Sequence, residues 1–148
     1  MMKRFTLLFS LALLLSPLQA ADRLQMARTP RNFPEAMLQL QETIKQHGYT
    51  VSRVQRVDIG LTTFGYQTDK YRVVFYGKPE QIRRMTDKYP QLIPYLPLKI
   101  AIFAEAQDTL LVASSPMQLL ETDQPELNRV LKDWSADLLS IMETMRGE

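Results

Sequence analysis

The stretch YRVVFYGKPEQIRRMTDKYPQLIPYLPLKIAIFAEAQDTLLVAS, residues 71–114, decides the fold because its hydrophobic pattern passes from strand to helix and back between proline and glycine marks. Tyr71 to Tyr76 is rich in β-branched and aromatic residues and reads as a strand that Gly77 closes. Pro79 suits a first helical position, and Ile82, Met85 and Tyr89 recur at helical spacing until Pro90 stops the helix. Prolines 90, 94 and 97 then predict a stiff, largely extended connection without regular hydrogen bonding. Leu98 to Glu105 and Thr109 to Ser114 follow as two strands, joined as a hairpin across Ala106-Gln107-Asp108.

Upstream, Leu24 to Thr29 is a short extended piece. A helix follows, capped by Asn32, with Pro34 and Glu35 in its first turn and Phe33, Met37, Leu40 and Ile44 on one side until Gly48. Tyr49 to Val57 predicts a strand, and Gly60 to Lys70, with two glycines and no clear period, a turn or loop. Downstream, Ser115-Pro116 starts one helical turn. Asp123 and Pro125 then open the surest element, a helix over 125–146 whose apolar stripe runs through Leu127, Val130, Leu131, Trp134, Leu138, Ile141, Met142 and Met145. The order β-α-β-β-α-β-β-α predicts an α+β two-layer sandwich: one mainly antiparallel sheet with helices on one face.

Residues 1–20 have the three-part layout of a secretory signal: Lys3-Arg4, the apolar run Phe5 to Leu15, then Ser16, Pro17 and small residues before cleavage after Ala20 or Ala21. The run is about half of the roughly 20 residues a membrane span needs, which favours a cleaved leader over an anchor; a short uncleaved helix is the competing reading. The expected product is a single domain over 21–148, periplasmic or secreted, with no membrane span after cleavage. Lys3 and Arg4 account for the whole formal +2, so this product is neutral and lacks the broad positive field that nucleic-acid binding requires. The charges are lopsided all the same. From Asp22 to Lys99 there are 13 basic and 7 acidic residues, and from Ile100 to Glu148 there are 3 and 9. The chain contains no cysteine, which removes disulfides, thiol redox chemistry, thiolate metal sites and c-type haem attachment. Stability must come from the core, which a chain of this length can build.

His47 is the only histidine, so neither a multi-histidine metal site nor a hydrolase with a spare histidine can form. Its place in the last turn before Gly48 reads as a helix cap. Met26, His47 and Met117 are the weak candidates for a soft copper or haem site, and no cofactor is expected. Asp58, Asp69, Glu105 and Asp108 fall at strand ends or turns, the ordinary place for solvated acids. The more informative set comes from strand alternation. Tyr71, Val73 and Phe75 share one face of their strand, leaving Arg72, Val74 and Tyr76 on the other, and Leu98, Ile100 and Ile102 oppose Lys99, Ala101 and Phe103. If the aliphatic rows meet the helices, the open face carries Arg72, Tyr76, Lys99 and Phe103: two cations beside two aromatics, suited to a subunit interface or an anionic or aromatic ligand. The competing reading is a half-exposed sheet face.

Phe33 with Leu40, Gly48-Tyr49-Thr50-Val51, Val73 to Pro79 with its Gly-x-Pro ending, Leu96 to Glu105 with its Leu-Pro-Leu-Lys, and Ser115-Pro116 together resemble the Domain of Unknown Function 302 family over 24–120. The resemblance implies a small bacterial α+β domain that associates as a dimer and has no established activity, with the last helix beyond the best-matching part. Two positions depart from the family pattern. Val57-Asp58-Ile59-Gly60 stands where members often carry an acidic residue followed by histidine, and Lys78 replaces the asparagine usual after the strand glycine. We therefore expect an exported binding or interaction module, acting as a homodimer or on a periplasmic protein partner, without catalysis. The rival is a carrier of a small ligand, haem or metal, or an enzyme, with a pocket near Pro90 to Pro97 that uses Lys99, Tyr76 and nearby carboxylates.

Overall fold

The computed structural model describes residues 23–147; the predicted leader and its cleavage point lie outside them. Alternating apolar residues build five strands: β1 Leu24–Thr29, β2 Thr50–Arg56, β3 Tyr71–Gly77, β4 Leu98–Glu105 and β5 Asp108–Ser114. They form one antiparallel sheet in the order β1-β5-β4-β3-β2. Four helices, α1 Phe33–Gln46, α2 Val57–Thr63, α3 Pro79–Lys88 and α4 Pro125–Arg146, complete the α+β domain. No helix among the described residues is long and apolar enough to cross a membrane.

Asn32 caps α1 as the sequence predicts, its side-chain oxygen accepting from the Glu35 N–H at 3.1 Å. Pro34 occupies the first turn, where a missing N–H costs nothing, and Gly48 beyond the helix takes the left-handed φ of +79°. The helix carries the chain from one edge of the sheet at β1 to the other at β2. Its Phe33, Ala36, Leu40 and Ile44 join the α4 stripe, Met85 of α3, Leu92 and the inward side chains of the sheet in one core. The inward sheet residues are Ala27, Val74, Tyr76, Leu98, Ile100, Ile102, Leu111 and Ala113, which share one side because Tyr76 pairs with Leu98, Val74 with Ile100, Ile102 with Leu111 and Ala27 with Leu111.

Two segments differ from the expectation. Val57 does not end β2 but opens the short helix α2, where the sequence predicts the end of a strand and then a loop. Its threonines turn back on the backbone, Thr62 Oγ1 bonding the Asp58 carbonyl at 2.9 Å and Thr63 Oγ1 that of Ile59 at 3.2 Å, and none of its residues is buried. The proline-rich connection is not extended either. Pro90–Tyr95 winds into a 3-10 helix that buries Leu92, because the fixed φ of proline falls within the 3-10 range and Pro90 stands in the first turn. The Leu96-Pro97 peptide bond is cis.

Polar contacts fasten α4 to the rest of the helix layer. Tyr49, just before β2, is buried with its hydroxyl donating to Asp137 at 2.5 Å; its ring meets that of Tyr76 edge-on at 5.2 Å, and the Lys78 ammonium sits 4.4 Å over it. One turn along α4, Ser140 lies 3.0 Å from His47 Nε2, and Trp134 donates its indole N–H to Gln81 at 2.9 Å. Gly77 admits α3 on the other side of this seam: a Cβ there would come within 2.2 Å of Ile82 Cδ1 and 3.3 Å of its Cγ1.

Two outcomes follow from this packing. Gly77→Ala makes the half-buried Ile82 side chain swing aside, which its flexible end can do at small cost, and is expected to lower unfolding free energy by about 1 kcal/mol or less in urea titrations, the β-branched Gly77→Val costing more. The alkaline limb of stability is steep because burial, reinforced by Asp137, holds the Tyr49 and Tyr76 hydroxyls well above their ordinary 10.0. Below that pH both tyrosines keep their protons folded or unfolded. Above it the unfolded chain releases protons that the folded chain retains, so stability falls as pH rises, by up to about 1.4 kcal/mol per pH unit for each tyrosine. Tyr49→Phe is expected to remove roughly half of that slope, read from urea midpoints between about pH 9 and 11.

Candidate functional site

Because side chains alternate along a strand, the residues absent from the core form the opposite face of the sheet. That face presents Leu24, Met26 and Arg28 on β1, Leu110, Val112 and Ser114 on β5, Lys99, Ala101, Phe103 and Glu105 on β4, Tyr71, Val73 and Phe75 on β3, and Arg53 and Gln55 on β2. No helix covers it. Leu24 and Met26 are 52% and 49% exposed, and Val73, Phe75, Ala101, Phe103, Leu110 and Val112 are half-buried by one another.

A depression of about 420 Å³ lies in this face. The small side chain of Ala101 sits at its floor beside Val73 and Val112, with Phe75, Tyr71, Val57 and Leu24 around them and Lys99 at one end. The Tyr71 and Phe103 rings pack edge-on at 5.9 Å. At the Lys99 end, Arg53 and Lys99 are exposed and form no ion pair among the described residues. At the opposite end, Glu105 accepts from Arg28 Nε at 2.7 Å, a bond that holds its carboxyl below the usual carboxylate range, and Asp108 stands across from it in the hairpin. One end of the face is cationic, and the other, where Arg28 stands near both Glu105 and Asp108, carries one net negative charge.

Of the four residues expected on the open face, Lys99 and Phe103 are there and Arg72 and Tyr76 are not. Tyr76 is 2% exposed in the core beside Tyr49, and Arg72 points to the helix side, 5.7 Å over the Phe33 ring and ion-paired with Asp58. The reason is the phase between strands: Tyr76 lies opposite Leu98 and Arg72 opposite Ile102, so both follow the aliphatic row of β4 inward, while Tyr71, Val73 and Phe75 follow Lys99 and Phe103 outward. Asp58 is held below the usual carboxylate range by its hydrogen bond from Arg72.

The remaining candidates do not converge. Met26 lies on the outward side of edge strand β1. His47 lies in the helix layer, Nδ1 at 2.8 Å from the Thr43 carbonyl and Nε2 on Ser140. Met117 packs against the core in a 3-10 turn and donates its N–H to Ser135 at 3.0 Å. Among the described residues no group of three or more histidines or carboxylates is arranged to hold a metal ion. Next to the Pro90 to Pro97 segment a cavity of about 610 Å³ is lined by Lys88, Tyr89, Glu126 and Arg129, not by Lys99 or Tyr76. Three exposed side chains escape a reading based on periodicity: Ile59, Phe64 and Tyr66, in α2 and the loop after it. Their only mark in the sequence is an aromatic on each side of Gly65 in an otherwise polar stretch.

No curated protein matches the chain. The crystal structure of the uncharacterized conserved protein DUF302 from Bacillus stearothermophilus has the same fold, with a TM-score of 0.76 at 20% sequence identity, covering 85% of this chain and 100% of that one. The model of the family described as domain of unknown function DUF302 matches residues 25–145, a span that takes in the last helix as well as the strands and motifs of the sheet. The chain therefore belongs to the DUF302 family.

Proposed function

We propose that the chain is an exported binding module with no reaction of its own, and that the open face of its sheet pairs with a second copy of the same face. The observation that carries this reading is the continuous apolar surface from Leu24 and Met26 across Leu110, Val112, Ala101 and Val73 to Phe75, which no helix among the described residues covers. Apolar patches of this kind mark interaction surfaces, and sheets of this type pack face to face about 10 Å apart.

The occupant is argued from charge. An isologous dimer with its two-fold axis lying between the sheets and across the strands reverses strand direction from one copy to the other. Lys99 of each copy then faces the Glu105 and Asp108 end of its mate, so attraction acts at both ends while the apolar rows meet in the middle. An axis along the strands would set cations on cations. The leader-like residues 1–20 support the exported address.

Sedimentation equilibrium is expected to show a concentration-dependent dimer that weakens as salt rises, since its end contacts are exposed. Leu24→Glu combined with Met26→Glu places unpaired carboxylates on the exposed apolar margin of the face at β1 and is expected to raise the dissociation constant at least tenfold. Because both side chains are about half-exposed, the far-UV circular dichroism of the variant should match that of the parent. A parent chain that stays monomeric throughout the accessible concentration range would sink the reading.

A further inference from the structure

The connection between β2 and β3 is far longer than a tight hairpin turn, since it carries α2 and a loop to Lys70. It leaves the sheet at the acidic end of the open face, and Val57 and Tyr71 at its two feet line the central depression. Its tip is well ordered in itself. Gly65 takes φ +83°, its N–H bonds the Thr62 carbonyl at 3.0 Å, and the Tyr66 N–H bonds the Leu61 carbonyl at 3.1 Å, the paired bonds of a Schellman ending. Such an ending usually tucks its following residue against the helix. Here Phe64 is 80% and Tyr66 67% exposed, with Ile59 also outside. The chain thus presents two aromatic side chains on a fixed backbone and gives them little apolar contact of their own.

We propose that this segment is a dimerisation arm: Phe64 and Tyr66 of one copy dock on the Phe75 and Lys99 end of the open face of the other. This rests on the face-to-face dimer proposed above, and three observations select the occupant. The first is place. The two-fold axis that pairs opposite charges brings the feet of one copy's arm, at the Glu105 end on the β2-β3 side, to the β2-β3 side of the cationic end of the other, where Arg53, Phe75 and Lys99 stand. The second is chemistry. Arg53 and Lys99 lack ion-pair partners among the described residues, and an aromatic face is a partner for a cation while Phe75 offers an edge for ring packing. The third is area. A five-stranded face with strands about 4.8 Å apart and about 3.3 Å per residue covers roughly 500 Å² in plan, short of the about 800 Å² per partner of a stable interface, and two large aromatics bury about 150–250 Å² each. Fixing the arm before contact spares the ordering entropy that a flexible loop would lose on docking.

The test combines two measurements on the full chain as purified. Phe64→Ser with Tyr66→Ser is expected to raise the dimer dissociation constant at least tenfold by sedimentation equilibrium, with urea stability of the monomer unchanged because both side chains are exposed. With p-benzoylphenylalanine in place of Phe64, irradiation of a mixture of isotope-labelled and unlabelled chains is expected to give an intermolecular cross-link to the peptide holding Phe75 or Lys99. A double variant that dimerises as tightly as the parent, or a cross-link to any other surface, overturns the arm and leaves the sheet-face dimer standing. A monomeric parent overturns both.

Discussion

The pairing of Val74 with Ile100 sets the phase of the whole sheet. Side chains alternate with a period of two, so once these two point the same way every other residue of β3 and β4 is assigned to the helices or to the open side. Val74 and Ile100 are both fully buried, and they lie mid-strand, with Tyr76 and Leu98 in the core on one flank. A slip of one residue in β3 would put Tyr71, Val73 and Phe75 under the helices and turn Tyr76 and Arg72 outward, losing the Tyr49 contact and the Arg72–Asp58 pair together.

The two layers are held by different means. Inside, aliphatic side chains from α1, α3 and α4 meet the sheet without a buried polar side-chain atom left unpaired among the described residues, and the few polar links lie along the α4 seam. Tyr49 is the member of that seam that touches most: Asp137 on α4, Tyr76 on β3 and Lys78 before α3 all converge on it. The outer face has no such lid. Its residues shelter one another as far as neighbouring strands allow, and the hollow over Ala101 exists because a methyl group stands between larger neighbours on β3 and β5.

The layer order, the five strands, the Asn32 cap and the extent of α4 were legible in the sequence because each has a strong local cause: a clear period, a proline in a first turn, or a glycine after the last turn. The face of β3 was not. Both of its rows are apolar, Tyr71, Val73 and Phe75 on one side and Val74 and Tyr76 on the other, so alternation shows which residues travel together but not which set goes inward. That choice is made by β4, whose Lys99 cannot be buried without a partner while Leu98, Ile100 and Ile102 can. The helix α2 escaped for a related reason: Gly60 and two threonines are poor helix formers, and no buried face supplies a stripe to betray it. The candidate site was half visible, Lys99 and Phe103 by alternation alone, whereas Met26, Leu24 and the arm residues enter it through strand order, which no local pattern encodes.

Strand order also governs the sequence of events by which the fold is completed. β1 lies at the edge of the sheet and takes its only strand partner among the described residues from β5, so that Leu24 must meet Ser114 and Thr29 must meet Thr109. β1 therefore waits for the last strand to be made, while β3, β4 and β5 can zip through nearer neighbours. Contacts between such distant residues form slowly, since a long loop must close before any hydrogen bond rewards it. Until residues 109–114 are made, β1 has no strand partner among the described residues, and the sheet lacks both β5 and β1.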